Sequence, residues 1–299
     1  MTDVSVVIVS YESRELLERC FGALDADVPH TASRELIVVD QASGDGTAQW
    51  LRSTRPDVRL VALDRNVGFG AGNNHGARVA GGRWLLLLNS DAFVDPGAID
   101  ELVHFADRRP AIAAVGPRLH NADGSLQRSC RGFPSVWRIA TEYLFLRKLR
   151  PHSRLVNSFY CGGFAHDEPR RVDWLTGAVL LVRRADFEAA GGFDEAFFMY
   201  SEEVDLMRRL ADRGRETWFD PAAGVTHLWG GTTSRDPGRN YREQLRSHVR
   251  YLDRHHGPAA ARRGRLVLLA GCSLRAPYSP GHRQALRWLR GQSVEELLR

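Results

Sequence analysis

The sequence predicts an α/β fold, a mostly parallel sheet flanked by helices and followed by a basic helical extension. Residues 4–10, 36–39, 58–63 and 84–88 are short apolar runs. They lack the alternation of a sheet with one wet face, so each reads as a strand buried on both faces. Glycine-rich and acidic turns, then segments of helical periodicity, separate them, and β-α alternation of this kind builds a parallel sheet. The third observation is charge: residues 239–299 hold thirteen arginines against Glu243, Asp253, Glu295 and Glu296, a surplus of nine within a total of +5.

At 299 residues, 43% hydrophobic and 26% charged, the chain suits one large soluble domain or a domain with an appendage. Cys20, Cys130, Cys161 and Cys272 show no CxxC pair, which argues against structural zinc or a disulfide framework. The N-terminal apolar run is too short for a signal peptide or a spanning helix, so a cytoplasmic location is expected.

Taken in order, the first strand leads through Tyr11 and Glu12 to a helix with Leu16, Leu17, Cys20, Phe21 and Leu24 on one face and Ser13 as its expected cap. The second strand ends at Asp40, before a polar turn. After the third strand comes Asn66-Val-Gly-Phe-Gly-Ala-Gly-Asn-Asn74, which fails as a dinucleotide fingerprint because Asn73 stands where the third glycine belongs. It suits close backbone approach to a ligand or close helix packing.

The fourth strand stops abruptly at Asn89-Ser90-Asp91. Ligands of open α/β sheets bind outside the carboxyl ends of the strands, and Tyr11-Glu12, Asp40 and Asp91 all fall there. Asp95-Pro96 is expected to cap the helix over 97–108, which leaves Asp91 for a metal or a phosphate-bearing ligand. Asp123-Gly124 marks a hairpin turn. Residues 135–150 read as a basic amphipathic helix, either a flap packed on the main domain or a membrane-surface element.

A further strand over 179–182 follows Trp174-Leu-Thr176-Gly177-Ala178. Ser201 is expected to cap a helix over 202–212. On its helical wheel Val204, Met207, Leu210 and Ala211 form the buried stripe, with Glu203 beside it and Glu202 and Asp205 on the other side. An inward carboxylate is costly unless paired, ligated or facing a cleft, so Glu203 is the candidate for chemistry. His227, followed by glycines and hydroxyls, is a candidate ligand only in company with carboxylates.

These motifs resemble the family 2 glycosyltransferases, inverting enzymes of the GT-A fold, and especially their rhamnosyltransferase-like branch. The likeness runs from Val4 to Thr233 through Asp40-Gln-Ala-Ser, the segment from Asn66 to Asn74, Asn89-Ser-Asp91, Trp174-Leu-Thr-Gly-Ala178, Gly-Gly-Phe-Asp194-Glu and Glu202-Glu-Val-Asp-Leu206. It implies a GT-A domain over 1–233, its half 1–116 binding the nucleotide sugar and its half 117–233 the acceptor, with 234–299 as the basic extension. It places Tyr11, Glu12, Asp40, Asn66, Gly70, Asn73, Asn89, Ser90 and Asp91 at the donor. A divalent cation, Mn or Mg, would be held by Asp91 and His227, with Asn89 departing from the family's commoner Asp-x-Asp.

The family's base is the second acid of a Glu-Asp pair, here Glu203, which implies proton abstraction from an acceptor hydroxyl with inversion at the anomeric carbon. Glu202 and Asp205 would strengthen it as a base through like charge, while Trp174, Thr176 and Gly177 line the acceptor side. The donor implied is a nucleoside-diphosphate sugar, rhamnose on thymidine diphosphate by branch, with uridine and guanosine open. The acceptor is a saccharide or a lipid-linked sugar of cell-surface polysaccharide synthesis. The C-terminal arginines suit an anionic membrane surface, giving a peripheral location at its cytoplasmic face, and no nucleic-acid reader motif accompanies them. The alternative is a catalytically weak nucleotide-sugar-binding scaffold at the membrane.

Overall fold

The computed structural model describes residues 2–29, 31–153, 155–228 and 237–299. In chain order the first half comprises β1 (Val4–Ser10), α1 (Arg14–Ala26), β2 (Arg34–Gln41), α2 (Thr47–Thr54), β3 (Val58–Leu63), α3 (Phe69–Val79), β4 (Trp84–Asn89), β5 (Ala92–Val94), α4 (Ala98–Asp107), β6 (Ile112–His120), β7 (Leu126–Gln127) and β8 (Cys130–Arg131). Then follow α5 (Val136–Tyr143), α6 (Leu146–Leu149), β9 (Arg170–Val172), β10 (Trp174–Leu175), β11 (Val179–Arg183), α7 (Arg184–Ala189), α8 (Glu202–Asp212), β12 (Glu216–His227), α9 (Pro237–His256), α10 (Pro258–Arg275), α11 (Pro280–Arg290) and α12 (Val294–Leu298).

The chain divides into two compact units. The first contains Met1–Cys130, His166–Phe198 and Glu202–Thr232, the second Arg131–Ala165, Met199–Ser201 and Thr233–Arg299. In the first unit the main sheet runs β3-β2-β1-β4-β11-β6-β12-β5. Strands β1 to β4 are mutually parallel, and β12 lies parallel to β6. Strand β11 runs antiparallel between β4 and β6, and β5 antiparallel beside β12.

Strand pleating explains the layers. Val6 and Ile8 of β1, Val38 of β2 and Leu86 and Leu88 of β4 pack in one apolar cluster with Leu17, Cys20 and Phe21 of α1 and Ile99 and Leu102 of α4. The intervening Val7, Val9 and Val39 meet α3, where a Cβ on Gly76 would sit 2.3 Å from Val7 Cγ1 and one on Gly72 2.9 Å from Val9 Cγ1. The glycines spaced four apart are therefore a helix face that lets α3 lie flat on the sheet.

Three expected caps are not built as expected. Ser13 makes no capping bond; its Oγ meets Ser10 Oγ at 2.9 Å, and Asp45 Oδ2 accepts from the Arg14 amide at 2.9 Å instead. Asp95 does not cap α4, whose N-cap is Gly97 in the left-handed region at φ 84°. The cause is β5, which commits Asp95 to β12 through its amide to Gly224 O at 3.0 Å. Ser201 enters α8 with φ 67°, outside the extended geometry typical of a side-chain N-cap.

In the second unit residues 135–150 form two helices, not one, because Phe145 turns left-handed at φ 60°. Ile139 and Tyr143 of α5 share an apolar cluster with Leu245, Val249 and Leu252 of α9, Leu268 and Cys272 of α10 and Leu286 and Leu289 of α11. Residues 131–165 therefore pack with the C-terminal helices, so the linear division at 233/234 does not follow the contacts. Among the described residues no helix is long and apolar enough to cross a membrane.

Candidate active site

The turns after β1 and β2 are tied to each other. Glu12, in the left-handed region at φ 51°, donates its amide to Ser43 Oγ at 2.9 Å and accepts the Gly44 amide on Oε1 at 2.5 Å. Asp40 is 2% exposed; its Oδ2 takes a long contact of 3.4 Å from the Ser43 amide, and Oδ1 has no hydrogen-bond partner. Burial holds this carboxyl above its ordinary range, against the Ser43 hydrogen bonds. Tyr11 stands half exposed beside this turn at 43%. A buried acceptor with a spare lone pair at a strand end suits a ligand N–H.

A second corner forms where β4 ends. Asp91 Oδ1 lies 3.3 Å from His227 Nε2, and Asn89 Nδ2 3.5 Å from that nitrogen. The pairing of β5 with β12 makes the encounter, since His227 stands opposite Ala92, and Leu228 N donates to Asp91 O at 2.9 Å. On the other side of the ring His227 Nδ1 is 2.7 Å from Gln127 Oε1. The Gln127 amide nitrogen donates to Asn121 Oδ1 and His227 O, so its oxygen is the atom left for the ring. That assigns a proton to Nδ1 and leaves Nε2 facing Asp91. Asn89 Oδ1 is buried with no hydrogen-bond partner, and Ser90 is buried between the two. Among the described residues no set of three or more His, Cys, Asp or Glu side chains converges as a metal cage.

The third part joins the start of α3 to α8. Asn66 Oδ1 accepts from Gly68 N at 3.0 Å, Gln41 Oε1 accepts from Val67 N at 2.9 Å, and Phe69 N donates to Phe198 O at 3.0 Å. A Cβ on Gly70 would stand 3.0 Å from Phe193 Cβ and 3.4 Å from Glu202 Cβ. Asn73 is buried and donates to Phe69 O at 3.0 Å, so its side chain holds the helix start. Gly177 lies against Glu203, with a Cβ placed there 3.6 Å from Glu203 Cβ. Ala178 O accepts from Asn89 N at 3.0 Å, so one short turn touches both the β4 corner and Glu203.

The carboxylates of α8 are arranged otherwise than the helical wheel predicts. Glu202 (4% exposed) and Asp205 (0%) are the fully buried acids, Glu203 is partly exposed with its Oε2 buried, and Ala211 faces solvent. The wheel fails because α8 is covered on two sides, with Leu206 buried alongside Val204, Met207 and Leu210. Asp205 accepts from Arg209 Nε at 2.8 Å, and that guanidinium reaches the carbonyls of Ala190 and Gly192, which fastens α8 to the Gly191-Gly192 turn. Burial, then the like charge of Glu203, holds the Glu202 carboxyl well above its ordinary range. Trp174 is buried, and Thr176, whose amide donates to Ser129 O, keeps Oγ1 without a hydrogen-bond partner.

Sequence reasoning missed Gln127, Ser43 and Asn74. Asn74 bonds Phe193 N and Phe193 O and Glu195 Oε1, locking the 191–195 turn onto α3. Only the Asn-Asn pair after the glycines hinted at it. Gln127 left no local signal, because its partner is a hundred residues away.

Residues 5–166 match the family described as glycosyl transferase family 2. The chain is 34% identical, over 98% of its own length and the whole of the relative, to the N-acetylglucosaminyl-diphospho-decaprenol L-rhamnosyltransferase of Mycobacterium tuberculosis. It is 32% identical to the O-antigen biosynthesis protein RfbC of Myxococcus xanthus over 71% of this chain and 16% of that protein. Among solved structures, GalNAc-T7 with UDP, GalNAc and Mn2+ superposes with a TM-score of 0.62 at 17% identity, over all of this chain and 56% of that one. Residues 1–349 of S. aureus TarS give 0.54 at 13%, over 99% and 89%. These likenesses carry the GT-A fold, and the sequence relatives carry the chemistry. The chain belongs to glycosyl transferase family 2 and is a glycosyltransferase.

Proposed function

We propose that the protein transfers an L-rhamnosyl group from a nucleoside-diphosphate donor to a lipid-linked N-acetylglucosaminyl diphosphate, with inversion at the anomeric carbon. The full-length relative supports the sugar and the acceptor. The observation that carries the chemistry is the turn at Gly177-Ala178, which touches Glu203 on one side and Asn89 on the other. An acceptor hydroxyl beside Gly177 would then lie between the Glu203 side chain and the end of β4.

In this reading Glu203 removes the hydroxyl proton as the oxygen attacks, and the nucleoside diphosphate leaves on the opposite face. Asp40 accepts a base N–H, with Tyr11 and Glu12 shaping that side. Glu202 and Asp205 position α8, while Trp174 and Thr176 border the acceptor. Asn66, Gly70 and Asn73 hold the start of α3 at the donor.

A divalent cation, Mn or Mg, fits the corner at Asp91. Asp91 and His227 offer a carboxylate and an imidazole lone pair 3.3 Å apart, and Asn89 offers a buried oxygen without a hydrogen-bond partner. These donors are too few to cage an ion, so diphosphate oxygens would complete the shell. The ion would offset the negative charge that develops on the departing diphosphate.

Thermal denaturation with a panel of nucleoside diphosphates, with and without Mn2+, tests the reading. Stabilisation selective for one nucleotide, dependent on the metal and lost in Asp91→Ala, is expected. A panel without any shift would favour the non-catalytic scaffold.

A further inference from the structure

The second unit carries an apolar surface that its own packing leaves uncovered. Between Arg265 and Arg275, α10 reads Leu-Val-Leu-Leu-Ala-Gly-Cys-Ser-Leu, nine residues without a charge. Ala261, Gly264, Leu268, Gly271 and Cys272 form its inner face, in the cluster shared with α5, α9 and α11. Leu266 and Leu274 lie on the outer face, 63% and 52% exposed, with Ala270 between them. Just beyond the helix Tyr278 is 90% exposed. Leu266, Ala270 and Leu274 follow one another at four-residue steps of about 40° around the helix, so they form one slanting apolar strip, not scattered exposure.

Charge surrounds this stripe. Arg262 and Arg263 are exposed at its N-terminal end. Arg283 hydrogen-bonds the carbonyls of Ala276 and Pro277, which brings a guanidinium next to Tyr278. On α11, Arg283, Arg287 and Arg290 repeat at helical spacing on its exposed face. Glu295 and Glu296 of α12 oppose them, Glu295 close enough to feel Arg262. The surface stays strongly basic.

We propose that the outer face of α10, with the Tyr278 turn and the arginines of α11, docks the protein on the anionic surface of a lipid bilayer. The charge complementarity selects this occupant: leucines enter the acyl boundary, an aromatic ring sits at headgroup level and arginines meet phosphates. At nine residues the apolar stretch is about 14 Å of helix, long enough to lie in the interface and too short to span it. The surface differs from residues 135–150, whose Ile139 and Tyr143 are spent in the core. It does not depend on which sugar is moved.

The test is sedimentation of the full chain with vesicles of phosphatidylcholine alone or mixed with phosphatidylglycerol. Binding to the anionic vesicles is expected, reduced on the order of tenfold or more in Leu266→Glu/Leu274→Glu, the scale of two leucines leaving an apolar phase. Arg283→Glu/Arg287→Glu should lose binding chiefly to anionic vesicles. Leu266→Ser/Leu274→Ser serves where the glutamates perturb folding, and far-UV circular dichroism checks each variant. Unchanged sedimentation of a folded leucine variant, or no anionic binding by the parent protein, overturns the proposal. So does a concentration-dependent dimer, seen by ultracentrifugation, that the leucine variant abolishes without altering vesicle binding.

Discussion

His227 Nε2 lies 3.3 Å from Asp91 Oδ1 while Nδ1 of the same ring meets Gln127 Oε1 at 2.7 Å. With Nδ1 held by Gln127, Nε2 and the Asp91 carboxylate are two ligand atoms placed for one cation. Gln127 is thereby a positioning residue for the proposed metal. Gln127→Leu is expected to weaken Mn2+ binding in the presence of nucleoside diphosphate by roughly 10- to 100-fold, as loss of an outer partner of a ligating histidine does. Calorimetric titration reads this directly; unchanged affinity would mean that the ring orients itself.

Burial and the like charge of Glu203 disfavour the ionised form of Glu202 in the fold. Its pKa is raised, so the folded state binds the proton more tightly than the unfolded chain. The stability this contributes is present at low pH and lost as pH rises from about the ordinary 4.5 through the folded value. The amide of Glu202→Gln imitates the protonated carboxyl. Its melting temperature should therefore gain on that of the parent as pH rises above about 4.5, and a difference that stays constant with pH would contradict the assignment.

The bed of α3 on the sheet gives a paired substitution test. Gly76→Ala would drive a methyl to 2.3 Å from Val7 Cγ1, and overpacking of this kind costs about 1–3 kcal/mol. A Cβ added to Gly22, inside α1, would meet nothing within 4 Å. Gly22→Ala should stabilise by about 0.5–1 kcal/mol from helix propensity alone. Urea midpoints of both variants check the contrast.

In the second unit His248 is buried beside the edge of Tyr143, its Nδ1 has no hydrogen-bond partner, and burial pushes its pKa down to about 4. A depressed histidine is protonated first in the unfolded chain. Stability should hold above about pH 6.5 and fall by about 3 kcal/mol in total as pH drops toward 4. Because Glu202 and Asp40 act in the opposite sense, the difference between the parent and His248→Gln is the quantity to follow. A difference that does not change with pH would contradict the account.

Much of this was legible in the sequence because it depends on short-range pattern. The runs at 4–10, 36–39, 58–63 and 84–88 are strands, and the acids at their ends gather on one edge because parallel strands share a direction. The pairing of Asp91 with His227 came from family resemblance, since nothing local links them. The wheel of α8 misled because it assumes one buried side, whereas Glu202 faces Gly70 and Asp205 is consumed by Arg209. Asp95 read as a cap because β5, three residues long, carries too little pattern to recognise. Gln127 was invisible for the same reason that it matters: it joins two distant strands.

The most direct measurement of the central claim is the anomeric configuration of the product, by NMR, from nucleoside-diphosphate rhamnose and a lipid-linked N-acetylglucosaminyl diphosphate, run beside Glu203→Gln. The account predicts a product inverted relative to the donor, with turnover in Glu203→Gln reduced on the order of 100- to 10,000-fold while donor binding persists. A product of retained configuration, or a Glu203→Gln enzyme that turns over like the parent, would contradict it.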